Sequence, residues 1–197
     1  MDINEHFNTF PIINSEKLIL RQAAISDSKA IFKILGDKSL LKYSDLPILE
    51  SLLECEKAIE QIQKKYANKS EVVWVICKKE NNELIGLCRF YNLNFKHRFA
   101  SVGFELLKNH WGYGFINETM QATLNHLFVN LKINRIEAQV FPRNERAVKV
   151  LEKIGFQKEG FMRENFMIDG KLENSILFSL LEKDYFPNNE LFIKKIE

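Results

Sequence analysis

Cysteine is scarce in this sequence, and its three copies are not arranged as a binding site. Cys55, Cys77 and Cys88 form no Cys-x-x-Cys pair and no cysteine–histidine cluster with the spacing of metal ligands. An odd, sparse set of cysteines in a chain without a secretory signal is typical of reduced, intracellular proteins. We therefore predict a cytoplasmic protein without a metal site.

Long apolar runs and an excess of one charge are also missing. No stretch approaches the roughly 18 consecutive apolar residues that a membrane-spanning helix requires. Residues 1–16 lack the basic segment and apolar stretch of a secretory signal. The 28 lysines and arginines nearly balance the 26 aspartates and glutamates, so the net charge of +2 is far from that of a strongly basic nucleic-acid-binding protein. These absences predict a protein that binds neither membranes nor nucleic acids.

Periodic apolar patterns divide the chain into strands and helices. A chain of 197 residues has the size of one domain, so we predict a single domain over residues 1–197 with a peripheral tail after about residue 187. β-Branched and aromatic runs indicate strands, and apolar residues at helical spacing indicate helices. Strands are predicted at 17–23, 71–79, 84–93, 100–107, 134–141, 156–165 and 173–186, and helices at 26–37, 49–66, 116–131 and 144–156.

The order β-α-α-β-β-β-α-β-α-β-β predicts a protein of the α/β (α+β) class. Short turns join most neighbouring strands, which favours a mixed, mostly antiparallel sheet of six to seven strands flanked by helices. The strand that ends near Leu107, the helix after it and the strand that starts near Arg135 form a β-α-β unit. These two strands are therefore expected to run parallel at the centre of the sheet.

The stretch KNHWGYGFINE, from Lys108 to Glu118, places two glycines between a predicted strand and a predicted helix. We call it the glycine loop. Gly112 and Gly114 serve either a tight turn or an anion site, because the first amides of a helix are unpaired and carry a partial positive charge. The loop has neither the GxxxxGK[ST] pattern nor a third glycine at dinucleotide-binding spacing, so ATP and NAD are poorly supported as ligands.

A second block, FPRNERAVKVLEKIGFQKEG from Phe141 to Gly160, follows the second parallel strand. Together with the glycine loop, this block resembles the GNAT superfamily of acetyl-CoA-dependent N-acetyltransferases. Within that superfamily the chain looks most like the branch of Rim-type (RimJ- and RimL-like) ribosomal-protein N-terminal acetyltransferases. The resemblance extends from SEKLILRQAAISDSKAIFKI near the start to DGKLENSILFSLLEKDYF near the end.

The resemblance implies a GNAT fold in which the two parallel strands splay apart and the pantetheine arm of acetyl-CoA lies between them. It implies that backbone groups of Leu106 and Leu107 bind this arm as a missing strand would. It also implies that a run of backbone amides holds the pyrophosphate, namely those of Gly112, Tyr113, Gly114, Phe115 and Ile116. Lys149 and Lys153 either approach the 3′-phosphate or form a solvated helix face.

Two residues are candidates for the chemistry. By strand alternation Glu105 shares a face with Gly103 and Leu107, and its carboxylate either faces solvent or acts as the base beside the thioester, as the resemblance implies. Asn144 precedes a helix and is predicted to cap it. The resemblance gives Asn144 a second role, which is contact with the cofactor arm or with a water near the thioester.

The general acid is where the chain departs from the family. Many relatives carry a Ser or a Tyr at positions that this chain fills with Ala147 and Leu151, neither of which can donate a proton. Either solvent protonates the departing thiolate, or the chain is a non-catalytic acyl-CoA-binding module. Of the histidines, His97 and His126 are expected at the surface, and His110 either lines the site or lies outside it.

The resemblance places the acceptor mouth between residues 42–47 and 162–171. We predict an enzyme that transfers the acetyl group of acetyl-CoA to a primary amine in a ternary complex, without a metal. A protein N-terminal α-amine is one acceptor, and an aminoglycoside, a polyamine or another small amine is the alternative. The expected oligomeric state is a monomer or a homodimer.

Overall fold

A computed structural model describes residues 5–168 and 170–186 of the chain. The elements are β1 (Ile13–Asn14), β2 (Leu18–Arg21), α1 (Ser28–Leu35), α2 (Leu52–Ala67), β3 (Val72–Lys78), β4 (Leu84–Asn94), β5 (Phe99–Leu106), α3 (Phe115–Asn125), β6 (Arg135–Val140), α4 (Glu145–Ile154), β7 (Gln157–Ile168), β8 (Lys171–Leu181) and α5 (Glu182–Tyr185). One π-helical turn, His126–Asn130, extends α3. The predicted peripheral tail lies outside the described residues.

The strands form one sheet in the order β1-β2-β3-β4-β5-β6-β8-β7. Neighbouring strands pair antiparallel throughout, except that β5 and β6 are parallel. The predicted mixed, mostly antiparallel sheet and its central parallel pair are confirmed. The sheet has eight strands because a two-residue strand, β1, pairs with β2 at its edge. Two residues are too few to give a periodic signal in the sequence.

The two parallel strands part after a short paired segment. Phe99–Ser101 of β5 pairs with Arg135–Glu137 of β6, and no pairing of the two strands continues beyond these residues. However, β5 runs on to Leu106 and β6 to Val140. A gap therefore opens between the second halves of the two central strands, as the resemblance implies.

Helices cover both faces of the sheet, and the buried strand β3 shows how. Val72, Trp74 and Ile76 point into the core that also holds apolar residues of α3 and α4. Val75 and Cys77 point into a second core shared with α1 and α2. Because both faces of β3 are covered, its sequence is continuously apolar instead of alternating.

Two sequence predictions fail near the ends of elements. The strand predicted to reach residue 186 stops at Leu181, where its pairing with β6 ends, and α5 follows it. The helix carries Tyr185 into the core, where the phenol donates a hydrogen bond to the carbonyl oxygen of Gln121 at 2.9 Å. The helix predicted from residue 49 starts at Leu52, since the Ser51 side chain caps it by accepting from the Glu54 amide at 3.2 Å.

His126 was expected at the surface, and it is half-buried, with one side of its ring against the core. Its ring packs edge-on against Trp74 with the ring centres 5.8 Å apart. Burial lowers the pKa of His126 to about 4, so the imidazole is neutral near pH 7. His97 is exposed, as expected. Within residues 5–168 and 170–186, every helix is too short or too polar to cross a membrane.

Candidate active site

The glycine loop joins β5 to α3 through two left-handed residues. A single 3-10 turn at Lys108–His110 comes first, and Gly112 and Gly114 then adopt φ angles of +87° and +82°. Glycine adopts this region without the steric cost that other residues pay. A Cβ atom at either glycine would meet nothing within 4 Å. The glycines are therefore required by the backbone conformation, and the space beside them is open.

Part of this loop has backbone amides without a partner among the described residues. From Gly112 to Asn117, no backbone N–H donates a hydrogen bond to any residue that the structure describes. The first amide of the helix to find an acceptor is that of Glu118, which bonds to the Gly114 carbonyl at 3.0 Å. Unpaired amides at the N-terminus of an 11-residue helix have the geometry and partial charge that suit an anion. This set includes the predicted ligands Gly112, Tyr113, Gly114, Phe115 and Ile116.

Leu106 and Leu107 are not equivalent. The Leu107 amide donates to the Ile85 carbonyl at 2.9 Å, and its own carbonyl accepts from the His110 amide at 2.9 Å. Backbone groups alternate in direction along a strand, so Leu106 directs its N–H and C=O away from β4 and toward the gap. The Leu106 carbonyl accepts the indole N–H of Trp111 at 2.8 Å. Leu106 therefore turns its backbone toward the gap, with its carbonyl bonded to Trp111, whereas both backbone groups of Leu107 are bonded to other parts of the backbone.

A basic side chain borders the loop. The Arg146 guanidinium, on the first turn of α4, lies 4.5 Å from the centre of the Trp111 ring. This contact ties α4 to the glycine loop by a cation–π interaction and brings a positive charge to its edge. Lys149 and Lys153 are exposed on α4. His110 lies under the loop, where it packs against Phe115 and directs Nε2 toward Glu83, 3.4 Å away.

A cavity of about 90 Å³ opens where β5 and β6 diverge. We call it the gap cavity. Its lining comes from strands β4 to β7, from α4 and the loop before it, and from the connection between α1 and α2. The lining residues are Tyr43, Ser44, Asp45, Arg89, Tyr91, Val102, Gly103, Phe104, Glu105, Ala138, Gln139, Val140, Phe141, Asn144, Ala147, Leu151 and Phe166. Both segments predicted to flank the acceptor mouth, 42–47 and 162–171, contribute to this lining.

Glu105 is buried in the wall of the gap cavity, with only 7% of its surface exposed. Val102, Phe104 and Leu106 pack into the core beneath α3, so alternation directs Glu105 to the opposite face of β5, as predicted. Its Oε1 accepts a hydrogen bond from the Ser44 hydroxyl at 3.2 Å. Its Oε2 is buried and has no partner among the described residues. The alternative of a solvent-facing carboxylate is therefore wrong.

An arginine stands next to this carboxylate. Arg89 pairs across the strands with Gly103, and a Cβ atom at Gly103 would lie 2.9 Å from the Arg89 Nε. Arg89 Nη2 donates to Asp45 Oδ1 at 2.6 Å. Burial raises the pKa of Glu105 above its ordinary value, and the nearby charge of Asp45 adds to this; Arg89 and the Ser44 hydrogen bond oppose it.

Asn144 caps α4, as predicted. Its Oδ1 accepts a hydrogen bond from the Ala147 amide at 3.3 Å, and the residue lines the gap cavity. Ala147 and Leu151 line the same cavity. The two positions at which relatives carry a Ser or a Tyr thus face the site and offer no proton donor.

Sequence reasoning missed the aromatic wall of the gap cavity and the role of Arg89. The rings of Phe141 and Phe166 lie 5.2 Å apart, and those of Tyr43 and Phe141 6.4 Å apart. Arg89 had a signal in the sequence, since it is a lone charge inside the apolar run LIGLCRFY. The aromatic wall had none, because its rings come from three separate segments.

Comparisons with known proteins bear on this architecture. A family model described as an acetyltransferase (GNAT) domain matches residues 17–157. The uncharacterized N-acetyltransferase YoaA of Bacillus subtilis is 34% identical over 88% of this chain and 98% of that protein. The ribosomal protein uS5-alanine N-acetyltransferase of Escherichia coli is 28% identical over 55% of this chain and 56% of that protein.

Among solved structures, the spermidine N-acetyltransferase of Vibrio cholerae, in complex with CoA and spermine, superimposes with a TM-score of 0.77. It is 26% identical and covers 86% of this chain and 98% of its own. The predicted GNAT fold is confirmed by these matches. The family model spans most of the chain and the YoaA relative nearly all of it, so this protein is an N-acetyltransferase of the GNAT family.

Proposed function

We propose that this protein transfers the acetyl group of acetyl-CoA to a primary amine in a ternary complex, with Glu105 as the base. The observation that carries the proposal is the buried Glu105 carboxylate with its unpartnered Oε2, in a cavity at the point where the parallel strands diverge.

The residues present fit a CoA molecule. The unpaired amides of Gly112 to Ile116 suit a pyrophosphate, and Arg146 adds a positive charge at the edge of the loop. Leu106 directs backbone groups into the gap, where β6 no longer pairs with β5. The amides of the pantetheine arm can pair with these groups as a neighbouring strand would. The related spermidine N-acetyltransferase, whose structure contains CoA, supports this assignment.

Glu105 performs the first step of the proposed reaction. Its Oε2 accepts a proton from the ammonium group of the acceptor, and burial supports this role by raising the pKa of the carboxyl group. The neutral amine then forms the C–N bond with the acetyl carbon as the C–S bond breaks, and the second proton that the nitrogen loses passes to solvent. Asn144, at the start of α4, is proposed to contact the cofactor arm or a water beside the thioester.

The departing thiolate takes its proton from solvent in this proposal. Ala147 and Leu151 have no hydroxyl, although both line the gap cavity. A thiolate is a much weaker base than an alkoxide, so its departure does not require a positioned acid. The departure from the family pattern is therefore compatible with catalysis.

The charges of the gap cavity favour an acceptor with a single amine. Asp45 and Glu105 contribute two carboxylates and Arg89 one guanidinium, so the cavity carries at most one net negative charge. A polyamine brings several positive charges, which one net negative charge balances poorly. We therefore propose a protein or peptide N-terminal α-amine, as in the Rim-type branch, and the similarity to the uS5-alanine enzyme supports it. A polyamine remains the second candidate because of the similarity to the spermidine enzyme.

The direct test follows release of the CoA thiol from acetyl-CoA with a panel of amines. The panel contains peptides with free N-termini, the same peptides with blocked N-termini, spermidine and an aminoglycoside. We expect thiol release only with free amines, the fastest turnover with a peptide, and acetylation of its α-nitrogen by mass spectrometry. Absence of amine-dependent release across the panel would contradict the proposal, and faster turnover of spermidine would replace the peptide as the acceptor.

A further inference from the structure

Three consecutive residues of the connection between α1 and α2 reach the gap cavity, each by a different contact. The Tyr43 ring lies against Phe141, the Ser44 hydroxyl donates to Glu105, and Asp45 accepts from Arg89. The segment belongs to no helix or strand. These contacts join the segment to the charged groups of β4 and β5. The segment is also held locally, since the Ser44 amide donates to the Leu41 carbonyl at 2.8 Å and the Ser44 hydroxyl accepts from the Leu46 amide at 3.3 Å.

Arg89 and Glu105 are neighbours that do not bond to each other. Arg89 donates through Nη2 to Asp45 at 2.6 Å, and Glu105 accepts through Oε1 from Ser44 at 3.2 Å. Among the described residues, four buried side-chain atoms lack a partner, and two of these are Arg89 Nε and Glu105 Oε2. Unpartnered buried groups are costly, so a direct Arg89–Glu105 ion pair would be the expected arrangement unless the carboxylate serves another purpose.

We propose that Ser44 and Asp45 are positioning residues for Glu105. Ser44 fixes Oε1, so that Oε2 is the oxygen left for the amine. Asp45 holds the Arg89 guanidinium, so that Arg89 does not form a direct ion pair with the carboxylate. The link to catalysis depends on the proposed role of Glu105 as the base, but the placement of the carboxylate does not.

The groups around Glu105 determine what each change does. Arg89 and Tyr91 approach it from β4, Ser44 and Asp45 from the α1–α2 connection, and Cys88 lies on the opposite face of β4. The residues that β6, β7, α4 and the β6–α4 loop contribute to the cavity are uncharged, namely Ala138, Gln139, Val140, Phe141, Asn144, Ala147, Leu151 and Phe166.

Ser44 and Asp45 act on the pKa of Glu105 in opposite directions. The hydrogen bond from Ser44 stabilises the carboxylate and lowers the pKa of Glu105, whereas the negative charge of Asp45 raises it. Loss of the Ser44 hydroxyl therefore raises this pKa. Loss of the Asp45 charge lowers it, and the freed Arg89 side chain would add to the decrease by turning to Oε2.

The test is a direct titration of Glu105 by NMR in protein labelled with ¹³C at the Glu side-chain carboxyl. The signal is assigned by its absence in Glu105→Gln. We expect Ser44→Ala to move the titration midpoint up, Asp45→Asn to move it down, and Ser44→Thr, which keeps the hydroxyl, to stay near the wild-type value. Ser39→Ala and Asp37→Asn are matched controls, since these residues bond to each other in the same connection and not to Glu105. Neither control should move the midpoint.

The outcomes separate this inference from the proposed function. Midpoints that move in the same direction in Ser44→Ala and Asp45→Asn, or that do not move, overturn the positioning roles whatever the enzyme turns over. The pH profile of kcat, measured with the best amine from the panel, should follow the NMR midpoints. Its acid limb should move to higher pH in Ser44→Ala and to lower pH in Asp45→Asn. A Glu105→Gln variant with undiminished kcat would overturn the role of Glu105 as the base, and would leave the NMR result to decide the placement.

Discussion

The glycine loop and the gap cavity both adjoin β5, but the loop offers backbone groups and the cavity offers side chains. The loop presents backbone amides of consecutive residues, and its only strict demand on side chains is their absence at Gly112 and Gly114. The cavity is made of side chains that come from positions between Tyr43 and Phe166. The proposed binding at the loop thus depends on local conformation, whereas the proposed chemistry in the cavity depends on single groups brought together by the whole fold.

The two regions also differ in the sign of their charge. Unpaired amides and the start of α3 give the loop a positive potential that suits phosphate. The cavity holds two carboxylates and one guanidinium, which suits a cationic amine. Changes in one region should therefore affect one substrate and spare the other.

The largest expected effect is on turnover, in Glu105→Gln. Loss of a general base typically costs between 10² and 10⁴ in rate, so we expect kcat to fall about 1,000-fold. Binding of CoA, measured by calorimetry, should stay unchanged because Glu105 lies outside the loop. The wild-type rate should show an acid limb above the ordinary range of a Glu carboxyl, since burial raises the pKa of Glu105. If the acid limb of the pH profile persisted in Glu105→Gln, it would belong to a titrating group other than Glu105.

The next effect is on CoA binding, in Gly114→Asp compared with Gly114→Asn. Asp and Asn have the same shape and bear a similar strain in the left-handed conformation at φ +82°, so the two variants differ from each other mainly in charge. A like charge beside the pyrophosphate costs several kcal/mol, so we expect the Kd for CoA to rise roughly 100-fold in Gly114→Asp. Gly114→Asn should lose far less affinity by calorimetry. Equal losses would mean that the loop needs glycine for its conformation and does not hold an anion.

A smaller effect is expected from Gly103→Ala, on the acceptor alone. The added Cβ would lie 2.9 Å from the Arg89 Nε, so the guanidinium must move within the cavity. Such crowding costs ~1.4 kcal/mol, which corresponds to a rise of about tenfold in the KM for the amine. Steady-state kinetics with both substrates varied should leave the KM for acetyl-CoA as it is. An equal change in both constants would show that the two regions are not separable.

The smallest effect should follow Ala147→Ser, which restores the hydroxyl that many relatives have. If solvent protonates the thiolate, this hydroxyl adds nothing, and kcat should change by less than about threefold, or ~0.6 kcal/mol. The comparison is made at saturating acetyl-CoA. An increase of more than tenfold would show that protonation by a side chain had been the missing step.

The sequence predicted the parts of the site that are local along the chain. The glycine loop, the Asn144 cap and the alternation that orients Glu105 all follow from residues close in sequence. The gap was implied by family resemblance alone, since nothing in the residues of β5 shows that β6 leaves it after Ser101.

The parts that the sequence did not predict depend on contacts between distant residues. Ser44 and Glu105 are separated by 61 positions, and Arg89 and Asp45 by 44. No periodicity connects such pairs, because their proximity is fixed only when β4 and β5 are packed beneath the α1–α2 connection. The same limit applies to His126, whose partial burial involves contact with Trp74 in a different element.

A crystal structure of this chain with acetyl-CoA would test the central claim most directly. We predict pyrophosphate oxygens within hydrogen-bonding distance of the amides of Gly112 to Ile116, and the thioester in the gap beside Glu105. A pyrophosphate bound away from the glycine loop, or a thioester on the face of β5 opposite to Glu105, would contradict the account.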